Sequence, residues 1–250
     1  MLQYYEDVIL ASYLDPAADI AGVFFDEVDH FVMPRKLGGR DFYHCDLSPE
    51  RKAKVKRCFI DAMVRLTDYL AVHGKYAIMS TKALMKQYPD FYQAQRAMLN
   101  RTKAFYYQEM FCPNSTKRNP ETGLHYCAAH LTRESCCIDM INTAAMYASA
   151  GVPTMIRAQA ANENDRNFRF LLAAFLLTAQ RWSYIALGVG WYGAERSFPW
   201  FSIYDLTLGP PLTPLIVHDA VRGVYMREFR HAVVHVNVSA WEGSIDVKDM

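Results

Sequence analysis

The sequence predicts an α/β fold, a parallel sheet wrapped by helices, with a small antiparallel β appendage at the C-terminal end. Three observations predict it. Unbroken apolar runs of strand length, such as "IAGVFF" at residues 20–25, are the mark of strands buried on both faces. Such runs alternate with longer stretches of helical apolar spacing, and a helix–Gly–strand junction recurs at Gly74-Lys75-Tyr76 and Gly151-Val152-Pro153. Past Trp200 the alternation stops at the Pro-rich "LGPPLTP", and two short β runs follow.

Residues 2–15 read as an acidic amphipathic helix and not as a secretion signal. Residues 20–25 form the first strand, and "MPRKLGGRDFYHCDL" is a loop by its Pro, Gly and Asp content. A helix follows. Ser48 is a good N-cap, Pro49 suits the first helical position, and Gly74 supplies a left-handed stop. Val55, Phe59, Met63, Leu66 and Leu70 make its apolar stripe. "YAIMST" is the second strand and "AFYYQEMF", residues 104–111, the third. "RESCCIDMINTAAMYASAG" reads as a helix ending at Gly151, "PTMIRAQA" as a strand, "NENDRNFRFLLAAFLLTAQRW" as a helix and "YIALGVGW" as the fifth strand. "GVYMREFRHAVVHVNVSAW" reads as a hairpin turning near Arg230-His231. The division falls into residues 1–200 for the strand–helix domain and 201–250 for the appendage. About five strand–helix units are too few to close an eight-stranded barrel, so an open sheet and part of a barrel both stand at this point.

Composition narrows the class. Apolar residues make up 52% and charged residues 21%, which is material for a globular core. A net charge of +1 offers no footprint for nucleic acid or an anionic membrane. No apolar stretch approaches the roughly 20 residues of a transmembrane segment. Cys45, Cys58, Cys112, Cys127, Cys136 and Cys137 make no C-x-x-C pair, so neither a zinc finger nor a disulfide framework is expected. Asn100, Asn114 and Asn237 begin glycosylation sequons, matches short enough to arise by chance.

The chemistry is sought at the end of the first strand. "FFDEVDH" places Asp26, Glu27 and Asp29 where the strand emerges, and α/β proteins bind ligands at the carboxyl ends of their strands. A nucleotide motor would need a G-x-x-x-x-G-K-[ST] loop, which the chain lacks. A metal centre could draw on Asp26, Asp29, His30, Asp41 and His44, but no H-x-H, H-E-x-x-H or EF-hand spacing occurs, and solvated loop groups are the commoner reading. Glycoside hydrolysis needs two carboxyl groups across the scissile bond. Asp26 would be one and Glu109, in "YYQEMF", the other. An acid among apolar groups is costly unless it is paired or faces a cleft, and such surroundings suit a proton donor. A structural salt bridge to an arginine on a neighbouring strand explains Glu109 equally well. Further strand ends contribute Ser80, the pair Arg157 and Gln159, and the flat faces of Trp191 and Tyr192, on which a sugar ring could stack.

In order along the chain, these motifs resemble those of TIM-barrel glycosidases related to the endo-α-1,4-polygalactosaminidases, and of uncharacterised glycosyl-hydrolase-like barrels. "GVFFDEVD" is similar to their Asp-bearing strand end, "YYQEMF" to their Glu-bearing strand and "GVPTMIRAQA" to their Gly-x-Pro strand. "VYMREFRHAVVHVNVS" resembles their closing hairpin, with Tyr225, Arg227, Phe229 and Asn237 matching and the turn glycine replaced around Arg230-His231-Ala232. The resemblance implies a partial (β/α)8 TIM barrel, with Asp26 and Glu109 as the catalytic pair. It also implies three further strand–helix units before the first strand here, so an N-terminally incomplete chain is expected. A secretion signal would then belong to the missing part, and the compartment stays open.

The expected function is a glycoside hydrolase acting on a poly- or oligosaccharide without a cofactor. Glu109 would protonate the leaving oxygen, and Asp26 would act as nucleophile or as base for water. Asp29, Ser80, Arg157, Gln159, Trp191 and Tyr192 are the candidate substrate contacts. The alternatives are a non-catalytic carbohydrate-binding barrel and a metal-dependent phosphoesterase.

Overall fold

The computed structural model describes residues 21–25, 36–37, 40–41, 48–81, 99, 104–109, 111–113, 132–160, 162–188 and 200–248. In chain order these hold β1 (Gly22–Phe25), β2 (Lys36–Leu37), β3 (Arg40–Asp41), α1 (Pro49–Val72), β4 (Tyr76–Thr81), β5 (Ala104–Gln108), α2 (Arg133–Ser149), β6 (Thr154–Gln159), α3 (Arg166–Thr178) and β7 (Ser183–Gly188). A 3-10 turn (Ser202–Asp205) precedes β8 (Ile216–Asp219), β9 (Val224–Glu228), β10 (Ala232–Asn237) and β11 (Glu242–Val247). The α/β expectation holds. Five strands form one sheet in the order β1-β4-β5-β6-β7, and the last four strands form a separate sheet in the order β11-β10-β9-β8. The chain divides into two compact units, Met1–Tyr107 and Gln108–Met250.

In the first unit β1 runs parallel to β4, with Gly22 opposite Tyr76 and Phe25 opposite Met79. Side chains alternate across a strand, and the burial follows that period. Ala77 and Met79 of β4 are buried, as are Ala104 and Tyr106 of β5. The opposite face carries an aromatic row: Phe24 meets Tyr107 edge-on at 5.3 Å, and Tyr76 meets Phe105 edge-on at 5.3 Å. Phe24 and Tyr76 are exposed. The stripe expected on α1 is not buried throughout. Met63, Leu66 and Leu70 are buried, whereas Val55 is exposed.

In the second unit β6 and β7 pair in parallel, from Thr154 opposite Ser183 to Gln159 opposite Gly188. α3 is apolar nearly all round, a pattern that demands burial on every side. It is met: α3 packs on α2 and β6, and also on β9, β10 and β11 of the antiparallel sheet. The appendage is therefore larger than the expected hairpin. β8 and β11 flank β9 and β10, and escape the alternation rule because their polar and apolar residues do not alternate cleanly. The turn at Arg230-His231 needs no glycine, since neither residue has positive φ.

Gly243 of β11 lies against α3. A Cβ there would stand 2.9 Å from the Phe170 Cα and 2.9 Å from the Ala173 Cβ, so the strand can seat only without a side chain. Gly243→Val should cost about 1–3 kcal/mol by overpacking, read as a lowered urea midpoint. Beside it, Trp241 stacks on Phe170 at 4.1 Å and donates its indole N–H to Asn167 Oδ1 at 2.9 Å. Arg133 from α2 lies over the same indole at 4.2 Å.

The three described helices stop in two ways. Gly74 (φ 72°) and Gly151 (φ 78°) end α1 and α2 in left-handed backbone, as expected. At α1 the Gly74 N–H returns to Ala71 O at 3.0 Å and the Lys75 N–H to Leu70 O at 2.8 Å. At α2 the Gly151 N–H returns to Ala148 O and the Val152 N–H to Tyr147 O, both at 3.0 Å. α3 has no such glycine; its C-cap is Ala179. Instead Arg227 of β9, buried, donates Nη1 to the carbonyls of Leu176 (3.2 Å), Leu177 (3.0 Å) and Ala179 (2.6 Å). A cation there also opposes the negative end of the helix dipole.

The expectation of no disulfide is overturned. Cys112, just past β5, is disulfide-bonded to Cys137 of α2 with the two Cα atoms 4.4 Å apart, and Cys136 is disulfide-bonded as well. Cys58 is free and exposed. Cysteine spacing did not reveal the bond, because a separation of 25 residues is closed only by packing α2 beside the end of β5.

An apolar groove of about 370 Å³ opens beside β7, lined among others by Phe175, Tyr184, Trp200, Ile203 and Tyr204. Burial pushes the Tyr204 phenol up to about 12, with the Glu163 carboxylate adding to the rise. An unfolded tyrosine ionises near pH 10. Tyr204 therefore contributes stability that is fully present below about pH 10 and is lost as pH rises towards about 12. Tyr204→Phe should flatten this part of the stability profile, measured by urea denaturation at pH 8 and pH 11.

Candidate functional site

Two of the candidate residues are described near strand ends: Glu109, just past β5, and Gln159, the last residue of β6. The β5 ladder ends at Gln108, fully buried, whose side-chain amide donates to Glu109 O at 2.8 Å. Glu109 stands one residue past the strand, in a turn, and is half-buried. The sequence predicts a strand that runs on through Glu109 to Phe111, and the ladder stops sooner. The difference matters chemically, because a residue at the strand end meets the space where ligands bind and a mid-strand acid faces packed neighbours.

The chain then locks down. The Phe111 N–H donates to Arg157 O at 2.9 Å, tying the segment after β5 to β6. Phe111, Cys112 and Pro113 are buried. Cys112 adopts φ 44°, a left-handed conformation that costs a non-glycine residue about 1–2 kcal/mol. Its N–H meets Met140 Sδ at 3.1 Å, and its sulfur is bound to Cys137.

Arg157 lies within β6 at 2% exposure, while Gln159 at the strand end is exposed. Gln159 O accepts from Asn167 Nδ2 at 2.7 Å, and Asn167 is the residue that also receives the Trp241 indole. The antiparallel sheet thus braces the end of β6 through one asparagine. Sequence reasoning missed both Asn167 and Trp241, since nothing local marks a pair joined across 74 residues. Ser80 lies in β4, next to its last residue. Asp26, Asp29, Trp191 and Tyr192 lie outside the described residues, as do Glu27, His30 and His44; Asp41 lies in β3.

Glu163, in the loop after β6, is a further acid near this end. Its carboxylate accepts from the Ser202 N–H at 2.7 Å and from the Ser202 hydroxyl at 3.2 and 3.3 Å. Those bonds fix the 3-10 turn and give Glu163 a structural task. Among the described residues no group of three or more His, Cys, Asp or Glu is placed to hold a metal ion. No helix among them is long and apolar enough to cross a membrane.

Parallel strands with helices packed on them, and a separate antiparallel sheet, define an α/β protein. The model of the family described as "Hypothetical glycosyl hydrolase family 15" matches residues 54–233, and the chain belongs to that family. The match takes in Ser80, Glu109, Arg157, Gln159, Trp191, Tyr192 and Arg227, and begins after Asp26. No curated protein matches the chain.

Proposed function

We propose that the chain is a glycoside hydrolase acting on a poly- or oligosaccharide, built as a partial (β/α)8 barrel related to the endo-α-1,4-polygalactosaminidases. Membership of a glycosyl hydrolase family carries the reading. The sheet supports the barrel. Apart from the small β2–β3 ladder, the strands follow one another in chain order, whereas a doubly wound sheet reverses its order at a switch point.

Glu109 is the proton donor. It protonates the glycosidic oxygen as the bond to the anomeric carbon breaks, which leaves an oxocarbenium-like centre. Asp26 either attacks that centre or takes a proton from the attacking water. A carboxyl separation of about 5–5.5 Å makes the enzyme retaining, and about 6.5–9.5 Å makes it inverting. Gln159, exposed at the end of β6, offers an amide to substrate hydroxyls. Arg157, Ser80, Asp29, Trp191 and Tyr192 complete the proposed contacts.

The purified protein, incubated with α-1,4-linked polygalactosamine and then with a panel of other polysaccharides, should release new reducing ends. Release from the first substrate supports the finer relationship. Sugar binding without release from any member of the panel would favour the non-catalytic alternative.

A further inference from the structure

We propose that the Cys112–Cys137 disulfide is a positioning element for Glu109. It holds the end of β5 in the conformation that presents the carboxyl group, in addition to stabilising the fold. The proposal rests on the reading of Glu109 as proton donor.

Glu109 is held between two fixed points. On one side is Gln108, the last residue of the β5 ladder, fully buried. On the other is the Phe111–Cys112 pair, fully buried and tied to two different elements. Phe111 N–H reaches Arg157 O of β6, and Cys112 is bound through its sulfur and its N–H to Cys137 and Met140 of α2. The positive φ of Cys112 shows what the tie does. Left-handed backbone at a non-glycine residue persists only where the surroundings over-determine it. Removing the cross-link frees Cys112 to return to φ < 0, and the segment that follows Glu109, half-exposed in its turn three residues upstream, loses one of its two ties.

A purely structural staple makes a different prediction. Closing a loop of 25 residues stabilises a protein by constraining the unfolded chain and leaves the folded geometry at Glu109 untouched. The test must therefore read Glu109 itself and not only stability.

The Cys112→Ser/Cys137→Ser double variant of the full chain is labelled with 13C at the glutamate side-chain carboxyl. Glu109 is assigned by loss of its signal in Glu109→Gln. Its titration is followed by NMR, which requires no sugar and so stays informative whatever the outcome of the hydrolysis assay. The apparent pKa of Glu109 should move by about half a unit or more. Val234→Ala, a buried site in β10, provides a comparable stability loss and should leave the Glu109 titration unchanged. Met140→Leu removes the sulfur that faces the Cys112 N–H while conserving volume, and should give a smaller shift in the same direction. It keeps the experiment decisive if the double variant does not fold. A Glu109 titration identical to wild type in whichever of the two folds, or a shift of equal size in Val234→Ala, overturns the proposal.

Discussion

Arg227→Ala should destabilise the protein by about 3–5 kcal/mol. The guanidinium is the C-terminal cap of α3. Without it the carbonyls of Leu176, Leu177 and Ala179 lose a charged donor at a helix end that has no glycine turn to satisfy them. The side chain also donates Nε to Thr213 O at 3.3 Å and lies over the Phe229 ring at 5.2 Å, so truncation leaves a cavity as well. Burial pulls the Arg227 pKa down, but an arginine so bonded stays charged. Arg227→Lys should recover little, because an ammonium cannot span three carbonyls and a fourth across the chain in one plane. Arg230→Ala, an exposed neighbour in the turn, should change stability by less than about 0.5 kcal/mol. Urea midpoints of the three variants check this. Near-equal midpoints for Arg227→Ala and Arg230→Ala would refute the capping role.

Glu109→Gln should lower turnover by about 100- to 10,000-fold, the range of a lost general acid, while the fold and sugar binding persist. The amide is the same size as the carboxyl and sits at a half-buried turn, so packing is preserved. The loss should depend on the leaving group. An aryl glycoside that departs as a stabilised phenolate needs little protonation, and should lose much less than a polysaccharide does. An equal loss on both substrates would move Glu109 from proton donor to a binding or structural role. Unchanged turnover on both would return it to the salt-bridge reading.

Removing the cross-link with Cys112→Ser/Cys137→Ser should lower stability by about 3.5 kcal/mol, from the entropy of a loop of 25 residues, measured by thermal unfolding without reductant.

The features legible in the sequence were those written within a few residues of one another. Ser48 caps α1 by accepting from the Arg51 N–H, and Pro49 opens the helix. Gly74 and Gly151 stop α1 and α2 because a left-handed turn is a local demand that glycine meets without strain. Strand and helix alternation foretold the α/β class, since each period is local too. The stripe on α1 was read too far towards its start: Val55 has the right spacing, but burial depends on whether anything packs there.

The rest required the folded chain. α3 reads in the sequence simply as a helix, and only the tertiary structure identified what buries its apolar residues, α2 and β6 together with the antiparallel sheet. Arg227 reads as an unremarkable strand residue until β9 is laid beside the end of a helix about fifty positions earlier. Cys112 and Cys137 are ordinary cysteines until α2 packs beside the end of β5. Glu109 drew attention because an acid among aromatic residues is costly, and that cost is local; its place in a turn was decided by where the β5 ladder stops. Local propensity sets which segments become helix or strand, whereas partners distant in sequence are chosen by burial and hydrogen-bond satisfaction, which act only once those segments meet.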